Sequence, residues 1–224
     1  MTQTVSLASM VTKVRSYADL VADDFRTDAQ IGTIIQARAE QFYEELLRSR
    51  CHHWFLKESL LTTVAGTATV TLPTDFLESA AFDLRLSTTE HRQLEESDFD
   101  HRYAYGVSGE PEAWYIAGDS IVLLPTPGAV YTIRCSYIPT LGTLTDAGVT
   151  PLQLDSVHGW DEYVCWAVAS DIKALQDLDY SYQAARTKEQ HERVLKMARS
   201  RVPTARKLPQ RRYGDVPRRS IYVR

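Results

Sequence analysis

The sequence predicts an α+β fold, in which an antiparallel helical bundle carries a small inserted β-sandwich-like module and ends in an extended C-terminal arm. Three observations predict this class. Residues 109–151 contain three strand-length apolar segments separated by tight turns, the chain outside the β segments has helical periodicity, and that periodicity stops after residue 200. Residues 1–52 are predicted to form a first helix pair, and residues 152–200 a second helix pair of the same bundle. Residues 53–151 form the β module between them, and residues 201–224 form the arm.

A helix pair is predicted at the N-terminal end. The first helix spans about residues 6–22, because apolar residues recur along it every three or four positions. Thr27 and Gln30 have the spacing of a capping box, in which a hydroxyl and an amide side chain satisfy backbone amides reciprocally. The second helix therefore begins there and continues to about residue 50, with its inward side chains at Ile31, Ile34, Ile35, Phe42, Leu46 and Leu47.

The β module is predicted to open with a hairpin. The runs 60–64 and 67–72 are rich in β-branched residues, and Ala65-Gly66 separates them. Another strand is expected over 79–86, and an irregular or short helical bridge over 92–103.

A second hairpin and a third strand follow the bridge. Gly118-Asp119-Ser120 separates the apolar runs 114–117 and 121–124, and glycine adopts positive φ at little cost, so these runs form a tight hairpin. Pro125 to Gly128 is a predicted turn. The next strand alternates in the pattern of a sheet with one buried face and ends at Pro139, with Tyr131, Ile133, Cys135 and Tyr137 inward.

A second helix pair is predicted after the β module. Helix three starts at residues 154–156, with Asp155 as its N-cap. Its apolar face consists of Val157, Trp160, Val164, Ala167, Val168 and Leu175. Helix four spans about 181–199, and both helices are amphipathic, as a bundle or a subunit interface requires.

Composition limits the classes of protein that the sequence fits. The apolar fraction is 44%, no apolar run reaches the length of a membrane span, and the N-terminal residues lack the apolar region of a secretory signal. These features predict a soluble cytoplasmic product without a membrane partner. The three cysteines (Cys51, Cys135, Cys165) form no CxxC pair and are expected to be reduced, buried thiols.

No segment of the sequence predicts catalysis. Cys51-His52-His53 contains zinc-ligating residue types, but adjacent residues seldom chelate one ion and no second pair has finger spacing. The acidic residues Glu95, Glu96, Asp98 and Asp100 suit a magnesium site, the paired carboxylates of a hydrolase or, more simply, a solvated face. His158 lies near Asp161 and Glu162, as in an acid/base site or in the polar first turn of a helix. The sequence therefore predicts a non-enzymatic protein with no catalytic residues, no metal and no cofactor.

The C-terminal arm is the strongest functional feature of the sequence. Residues 199–224 contain nine Arg or Lys and one Asp, a net charge of +8; because the whole chain carries −4, residues 1–198 carry −12. A basic arm on an acidic body suits docking onto another protein, and Ile221 to Arg224 could add a strand to that protein's sheet. Nucleic-acid binding and a solubilising terminus are the alternatives. Docking onto protein is favoured, because the acidic body would repel nucleic acid.

The order of these elements, together with several turn sequences, is similar to a known family. Its most specific pieces are Leu72-Pro73-Thr74-Asp75-Phe76 and Gly109-Glu110-Pro111, followed by the turns at Gly118-Asp119 and Pro125-Thr126-Pro127. With these features, residues 1–200 resemble the head-to-tail adaptor (connector) proteins of tailed bacteriophages, including the tail-tubular, gatekeeper-like adaptors of short-tailed phages.

The resemblance implies a structural protein of the virion neck that assembles in the host cytoplasm. It implies a ring of about twelve copies under the portal, which extends the DNA channel without sequence-specific binding and presents a platform to tail or nozzle proteins. It also implies that the arm docks on the portal protein. The expected docking residues are Arg206, Lys207, Leu208, Arg211, Arg212, Tyr213, Arg218, Arg219, Ile221, Tyr222 and Val223.

Overall fold

The protein combines four α-helices with three β-sheets in the parts of the chain that the structure, a computed structural model, describes: residues 5–20, 26–49, 54–145 and 152–201. The helices are α1 (Leu7–Tyr17), α2 (Asp28–Arg48), α3 (Trp160–Leu175) and α4 (Ser181–Arg201). The strands are β1 (Lys57–Thr62), β2 (Thr69–Thr71), β3 (Phe76–Arg85), β4 (His91–Gln93), β5 (Glu95–Glu96), β6 (Ser108–Gly109), β7 (Ala113–Ala117), β8 (Ser120–Leu124), β9 (Thr126–Pro127) and β10 (Thr132–Pro139). The predicted combination of helices and sheets is confirmed.

Side-chain caps fix the starts of the first two helices. The hydroxyl of Ser6 accepts a hydrogen bond from the amide of Ser9 at the start of α1. At α2 the predicted capping box is confirmed, since the Thr27 hydroxyl accepts from the Gln30 amide and the Gln30 side chain accepts from the Thr27 amide. Each cap satisfies amide groups that a helix cannot satisfy internally.

The end of α1 differs from the prediction, because the helix stops at Tyr17 and not near residue 22. Asp19 has a φ of 61°, in the left-handed region, and the amide of Leu20 donates back to the carbonyl of Arg15. This is a Schellman motif, which usually has glycine at the left-handed position. Asp19 occupies that position here, so the sequence carries no glycine to mark the stop.

Helix α3 begins later than predicted, and Asp155 is not its N-cap. Residues Gln153–Ser156 form a separate 3₁₀ turn, and α3 begins at Trp160 after Gly159, whose φ is 82°. The buried Asp155 carboxylate instead accepts hydrogen bonds from the Leu152 amide at 2.9 Å and from Trp160 Nε1 at 3.3 Å. Burial raises the pKa of Asp155 even though these two donors favour its charged form.

A first core lies among the helices. Helix α3 is at its centre: Phe42 of α2 contacts Tyr163, and Cys165 contacts the backbone of Met10 in α1. Arg38 of α2 binds Asp171 with both nitrogens at 2.6 Å. Arg38 precedes Phe42 in α2, whereas its partner Asp171 follows Tyr163 in α3, so these two helices are antiparallel.

The strands form two four-stranded sheets and a short two-stranded one. The first sheet has the order β1-β10-β3-β4, the second β2-β8-β7-β5, and β6 pairs with β9. The hairpin predicted around Gly118 is confirmed as strands β7 and β8. Ala113 lies opposite Leu124 at one end of this hairpin, and Ala117 lies opposite Ser120 at the other. A second core, with Phe82, Trp114, Leu123 and others, lies among these strands.

The other predicted hairpin is wrong. Strand β1 pairs with β10, and β2 pairs with β8, so the residues on either side of Ala65-Gly66 belong to different sheets. Their β-branched composition identified both strands but could not determine their partners. The turn predicted at residues 125–128 also contains a strand, because β9 pairs in parallel with β6.

Strand β10 connects the two cores. Ile133, Cys135 and Tyr137 point into the core of the sheets, as predicted, whereas Ile138 packs in the core of the helices. The pairing of β10 with β3 shifts register between residues 136 and 137 and between residues 138 and 139. Such irregularities re-aim side chains along a strand. The Tyr43 hydroxyl then donates to the buried carbonyl of Pro139 at 2.7 Å and joins α2 to the end of β10.

Two of the three thiols lie in these cores. Cys135 and Cys165 are free and buried, which confirms that prediction for both, and Cys51 lies outside the described residues. Burial raises the pKa of Cys135 to about 12 and raises that of Cys165 as well. Neither group is a thiolate at neutral pH, so neither has the reactivity of a nucleophile.

Asp75 links three neighbouring strands and makes stability sensitive to acid. Its carboxylate accepts hydrogen bonds from Lys57 of β1 at 2.7 Å and from the Tyr137 hydroxyl of β10 at 2.9 Å, and it precedes β3 directly. Burial alone would raise the pKa of Asp75, but these hydrogen bonds outweigh it and hold the pKa below its usual value. The contribution of the Asp75 carboxylate to the free energy of unfolding is therefore complete above a pH of about 4. It is lost as the pH falls through the lower pKa of the folded state.

We expect Asp75→Asn to lower the free energy of unfolding by about 1 kcal/mol at pH 7 and by less at pH 3, because pH 3 lies below the ordinary aspartate pKa of about 4 and part of the contribution of the charged carboxylate is already lost there. Urea titrations at the two pH values measure this difference. Glu78→Gln, at an exposed carboxylate of β3, is the control and should change neither value. An equal deficit at both pH values would show that Asp75 acts through its shape and not through its charge.

Candidate interaction surfaces

The acid/base site considered near His158 is a structural ion pair between two helices. Lys13 of α1 donates to Asp161 at 2.7 Å and to Glu162 at 3.1 Å, and the Tyr17 hydroxyl donates to Glu162 at 2.9 Å. Although partial burial would lower it, the two acids raise the pKa of Lys13, and burial together with Glu162 raises that of Tyr17 to about 12. Both carboxylates therefore bind α1 to the start of α3.

The acidic residues of the bridge are spread over different elements. Glu95 and Glu96 form β5 and point to opposite faces, Asp98 precedes the 3₁₀ helix Phe99–Ala104, and Asp100 lies within that helix. All four acids are exposed. Across residues 5–20, 26–49, 54–145 and 152–201, no three His, Cys, Asp or Glu side chains come close enough to hold a metal ion. Cys51, His52 and His53 lie outside these ranges.

The same bridge exposes an aromatic cluster that the sequence did not indicate. The Arg102 guanidinium lies 3.9 Å from the ring centre of Phe99 and 4.2 Å from that of Tyr103, and the edge of Phe99 meets Tyr115 of β7. Cation–π contacts of this kind are worth about 0.5–1 kcal/mol at exposed sites. They hold the bridge in a defined shape beside the second sheet.

A second exposed apolar surface lies where α1 and α3 end. Helix α3 ends in the same motif as α1: Asp177 has a φ of 53°, and the amide of Leu178 donates to the carbonyl of Lys173. The two helix ends enclose a groove of about 520 Å³, which we call the helix-end groove. It is lined by Ala18, Asp19, Leu20, Lys173, Leu175, Gln176 and Leu178.

The helix-end groove is apolar at its wall and acidic at its rim. Leu175, which was predicted to face inward, is 70% exposed, and Leu178 is 50% exposed. Asp19, Asp177 and Asp179 are exposed beside them, and Lys173 is the basic residue of the lining. The C-terminal ends of two α-helices add partial negative charge. Gln176 is part of the lining, but its Oε1 atom is buried beneath the surface and accepts no hydrogen bond from the described residues.

Stacked aromatic rings extend this surface toward α4. The rings of Tyr17 and Trp166 are parallel at 4.0 Å, and Trp166 meets the edge of Tyr182, which is exposed. Gln183 of α4 donates to the backbone carbonyl of Tyr17 at 3.0 Å, so the start of α4 is held against the end of α1. The groove and the aromatic rings together form one side of the helical part of the molecule.

The residues expected to dock on a partner lie outside the described residues. They are Arg206, Lys207, Leu208, Arg211, Arg212, Tyr213, Arg218, Arg219, Ile221, Tyr222 and Val223. Helix α4 ends at Arg201, directly before this arm.

Comparison with protein families identifies the chain. The model of the SU10 adaptor protein family matches residues 5–213, which include all four helices, the ten strands and the first part of the arm. The chain belongs to the SU10 adaptor protein family. The resemblance to phage head-to-tail adaptors is thereby confirmed.

Membership in the SU10 adaptor protein family makes the chain a structural adaptor of a bacteriophage, a component of the virion neck. As an adaptor it interacts with portal and tail components. A search of curated proteins finds no match to the chain. In the described residues, no helix is both long and apolar enough to cross a membrane.

Sequence reasoning found the family of this SU10 adaptor but missed the helix-end groove. The two features that form the groove are the left-handed residues Asp19 and Asp177, each followed by a leucine. An Asp-Leu pair occurs at both helix ends, at 19–20 and 177–178, but it also occurs at 83–84 within β3, so the pair alone does not indicate the groove. Helical periodicity alone extended α1 past this point and placed Leu175 in the core.

Proposed function

We propose that this adaptor forms a homo-oligomeric ring of about twelve copies that docks on the portal through its C-terminal arm. The ring extends the DNA channel for genome passage and ejection, and it gives tail or nozzle proteins a platform. The observation that carries this proposal is the division of charge, −12 in residues 1–198 against +8 in residues 199–224, in a member of an adaptor family. The segment 199–224 has few apolar residues for a core and many cations for a partner's surface.

The proposed architecture assigns a role to each part. Residues 1–52 and 152–200 form one antiparallel bundle, residues 53–151 form a sandwich-like insertion, and residues 201–224 form the arm. The antiparallel contacts of α3 with α2 and α4 support the bundle: Arg38 binds Asp171, and Tyr163 packs near His191. A connection through β10 to a separate strand core supports the insertion.

The acidic body suits a channel through which DNA must move. Negative side chains repel the phosphate backbone, which favours sliding over binding. A ring whose inner wall is acidic therefore passes DNA without holding it, and the basic arm is kept for protein surfaces. Assembly in the host cytoplasm, where portal and adaptor meet, belongs to the same proposal.

Portal binding and DNA binding separate the proposed function from its main alternative. We expect the full chain to bind purified portal rings and to form a ring on them that electron microscopy resolves. Free duplex DNA should bind only weakly in fluorescence anisotropy at physiological salt. A nucleic-acid-binding arm would instead give tight DNA binding that falls steeply with salt, since each neutralised phosphate releases a counterion. Strong DNA affinity without portal binding would overturn the proposal.

A further inference from the structure

We propose that the helix-end groove of one copy binds Arg211-Arg212-Tyr213 from the arm of a second copy. The inference deepens the proposed function: the middle of the arm joins neighbouring adaptors, and the residues after it remain for the portal. The groove is defined above by Ala18 to Leu20 of one helix end and Lys173 to Leu178 of the other.

The chemistry of the groove specifies its occupant. Leu175 and Leu178 are exposed at its wall, so an apolar or aromatic side chain that covered them would remove apolar surface from water. Asp19 and Asp177 at the rim, with two helix C-termini, favour a cation, and Lys173 offsets one of these charges. An extended segment with arginine next to an aromatic residue meets both requirements.

The arm contains such a segment. Arg211 and Arg212 supply two positive charges and many N–H donors, and Tyr213 supplies a ring with a polar tip. The aromatic ring of Tyr213 can pack against the aromatic rings beside the groove, which belong to Tyr17, Trp166 and Tyr182. None of the other basic residues of the arm has an aromatic residue directly beside it in the sequence.

The length of the arm fits a contact between neighbours. Tyr213 lies twelve residues beyond Arg201, the last residue of α4, so it can reach about 40 Å from there. A compact body of this size is also about 40 Å across. The arm of one copy can therefore reach the groove of the next.

Charge argues against binding to the groove of the same copy. The groove of the same copy lies beside the first residues of α4, whereas the arm begins after the last residue of this helix. Because α4 has 21 residues, its two ends are about 32 Å apart. The arm would have to return along α4, which contains six Arg or Lys and two Glu. Lys188, Arg193, Lys196 and Arg199 are exposed on it and would repel a basic segment.

Self-association of the full chain tests the contact without any portal. We expect the association constant, measured by sedimentation at several protein concentrations, to fall at least tenfold in Leu175→Asp/Leu178→Asp and in Arg211→Glu/Arg212→Glu/Tyr213→Ala. Val64→Asp/Val130→Asp is the matched control, because these residues are 63% and 67% exposed and undergo the same change of charge. It should associate like the wild type. Circular dichroism checks that every variant is folded.

Mixing the two variants distinguishes a neighbour's arm from the chain's own arm. The groove variant keeps a functional arm and the arm variant keeps a functional groove, so the mixture should form a 1:1 heterodimer that grows no further. A mixture that stays monomeric, or groove variants that associate like the control, would overturn the inference. Portal binding is measured separately, so a failure here leaves the proposed function standing, and a failure of portal binding leaves this contact standing.

Discussion

Removal of residues 203–224 is expected to abolish incorporation of the adaptor onto filled heads while the subunit stays folded. The residues identified in the two cores all precede residue 199, so the truncation should remove no core side chain. We expect the melting temperature to change by no more than about 3 °C, the effect of about 1 kcal/mol in a domain of this size. Affinity for purified portal should fall by about a hundredfold or more, which corresponds to about 2.7 kcal/mol.

The control for this truncation replaces residues 203–224 by an equally long Gly/Ser segment, which keeps the length but removes charge and apolar anchors. It should fail like the truncated chain. Recovery of portal binding by the Gly/Ser chain would show that the arm acts only as a spacer. Unfolding of the truncated chain would show that the arm belongs to a core, and the division into body and arm would then be wrong.

Local turn chemistry accounts for the parts of the fold that the sequence predicted well. The hairpin of β7 and β8 depends on three consecutive residues around Gly118, whose φ is 59°, and the start of α2 depends on Thr27 and Gln30. In both cases the partners of the hydrogen bonds lie within a few residues of each other. Such interactions can be read from a short stretch of sequence.

Pairing between distant residues could not be read in the same way. Strand β1 pairs with β10, about seventy residues later, and β2 pairs with β8, although β1 and β2 are neighbours in the chain. The composition of β1 and β2 suits a hairpin between them equally well. Only the arrangement of the two sheets favours the long-range pairs with β10 and β8. The same limit applies to Glu95 and Glu96, whose strand exists only because it pairs with Ala113 and Trp114.

The helix-end groove shows how a local signal can be misread. Asp19 lies within the span predicted for the first helix, yet Asp19 and Asp177 adopt the left-handed conformation that ends α1 and α3. Asn and Asp visit this conformation more readily than other side chains. Both helices therefore stop where their apolar periodicity would continue, and Leu175, which the periodicity assigns to a core, is left at the surface.

Lys13→Met is expected to lower the free energy of unfolding by about 2–4 kcal/mol at pH 7, the largest loss that we predict for a single substitution. Asp161 is 7% exposed and binds Lys13 at 2.7 Å, so removal of the ammonium group leaves a carboxylate that is buried without its charged partner. Glu162 loses the same partner at 3.1 Å. The ion pair adds to the apolar contacts between α1 and α3, among them the stacked rings of Tyr17 and Trp166. Urea unfolding followed by circular dichroism measures the loss.

Second substitutions separate the charge of Lys13 from its packing. Lys13→Arg keeps a cation at the helix contact and should retain most of the stability. Lys13→Met/Asp161→Asn removes the unpaired charge and should recover at least about 1 kcal/mol relative to Lys13→Met alone, because an amide costs less to bury than a carboxylate. Asp161→Asn is also measured alone. If it lowers the free energy of unfolding by the same amount in the Lys13→Met variant as in the wild type, the two residues act independently. The packing of apolar side chains, and not this ion pair, would then determine how α1 is held against α3.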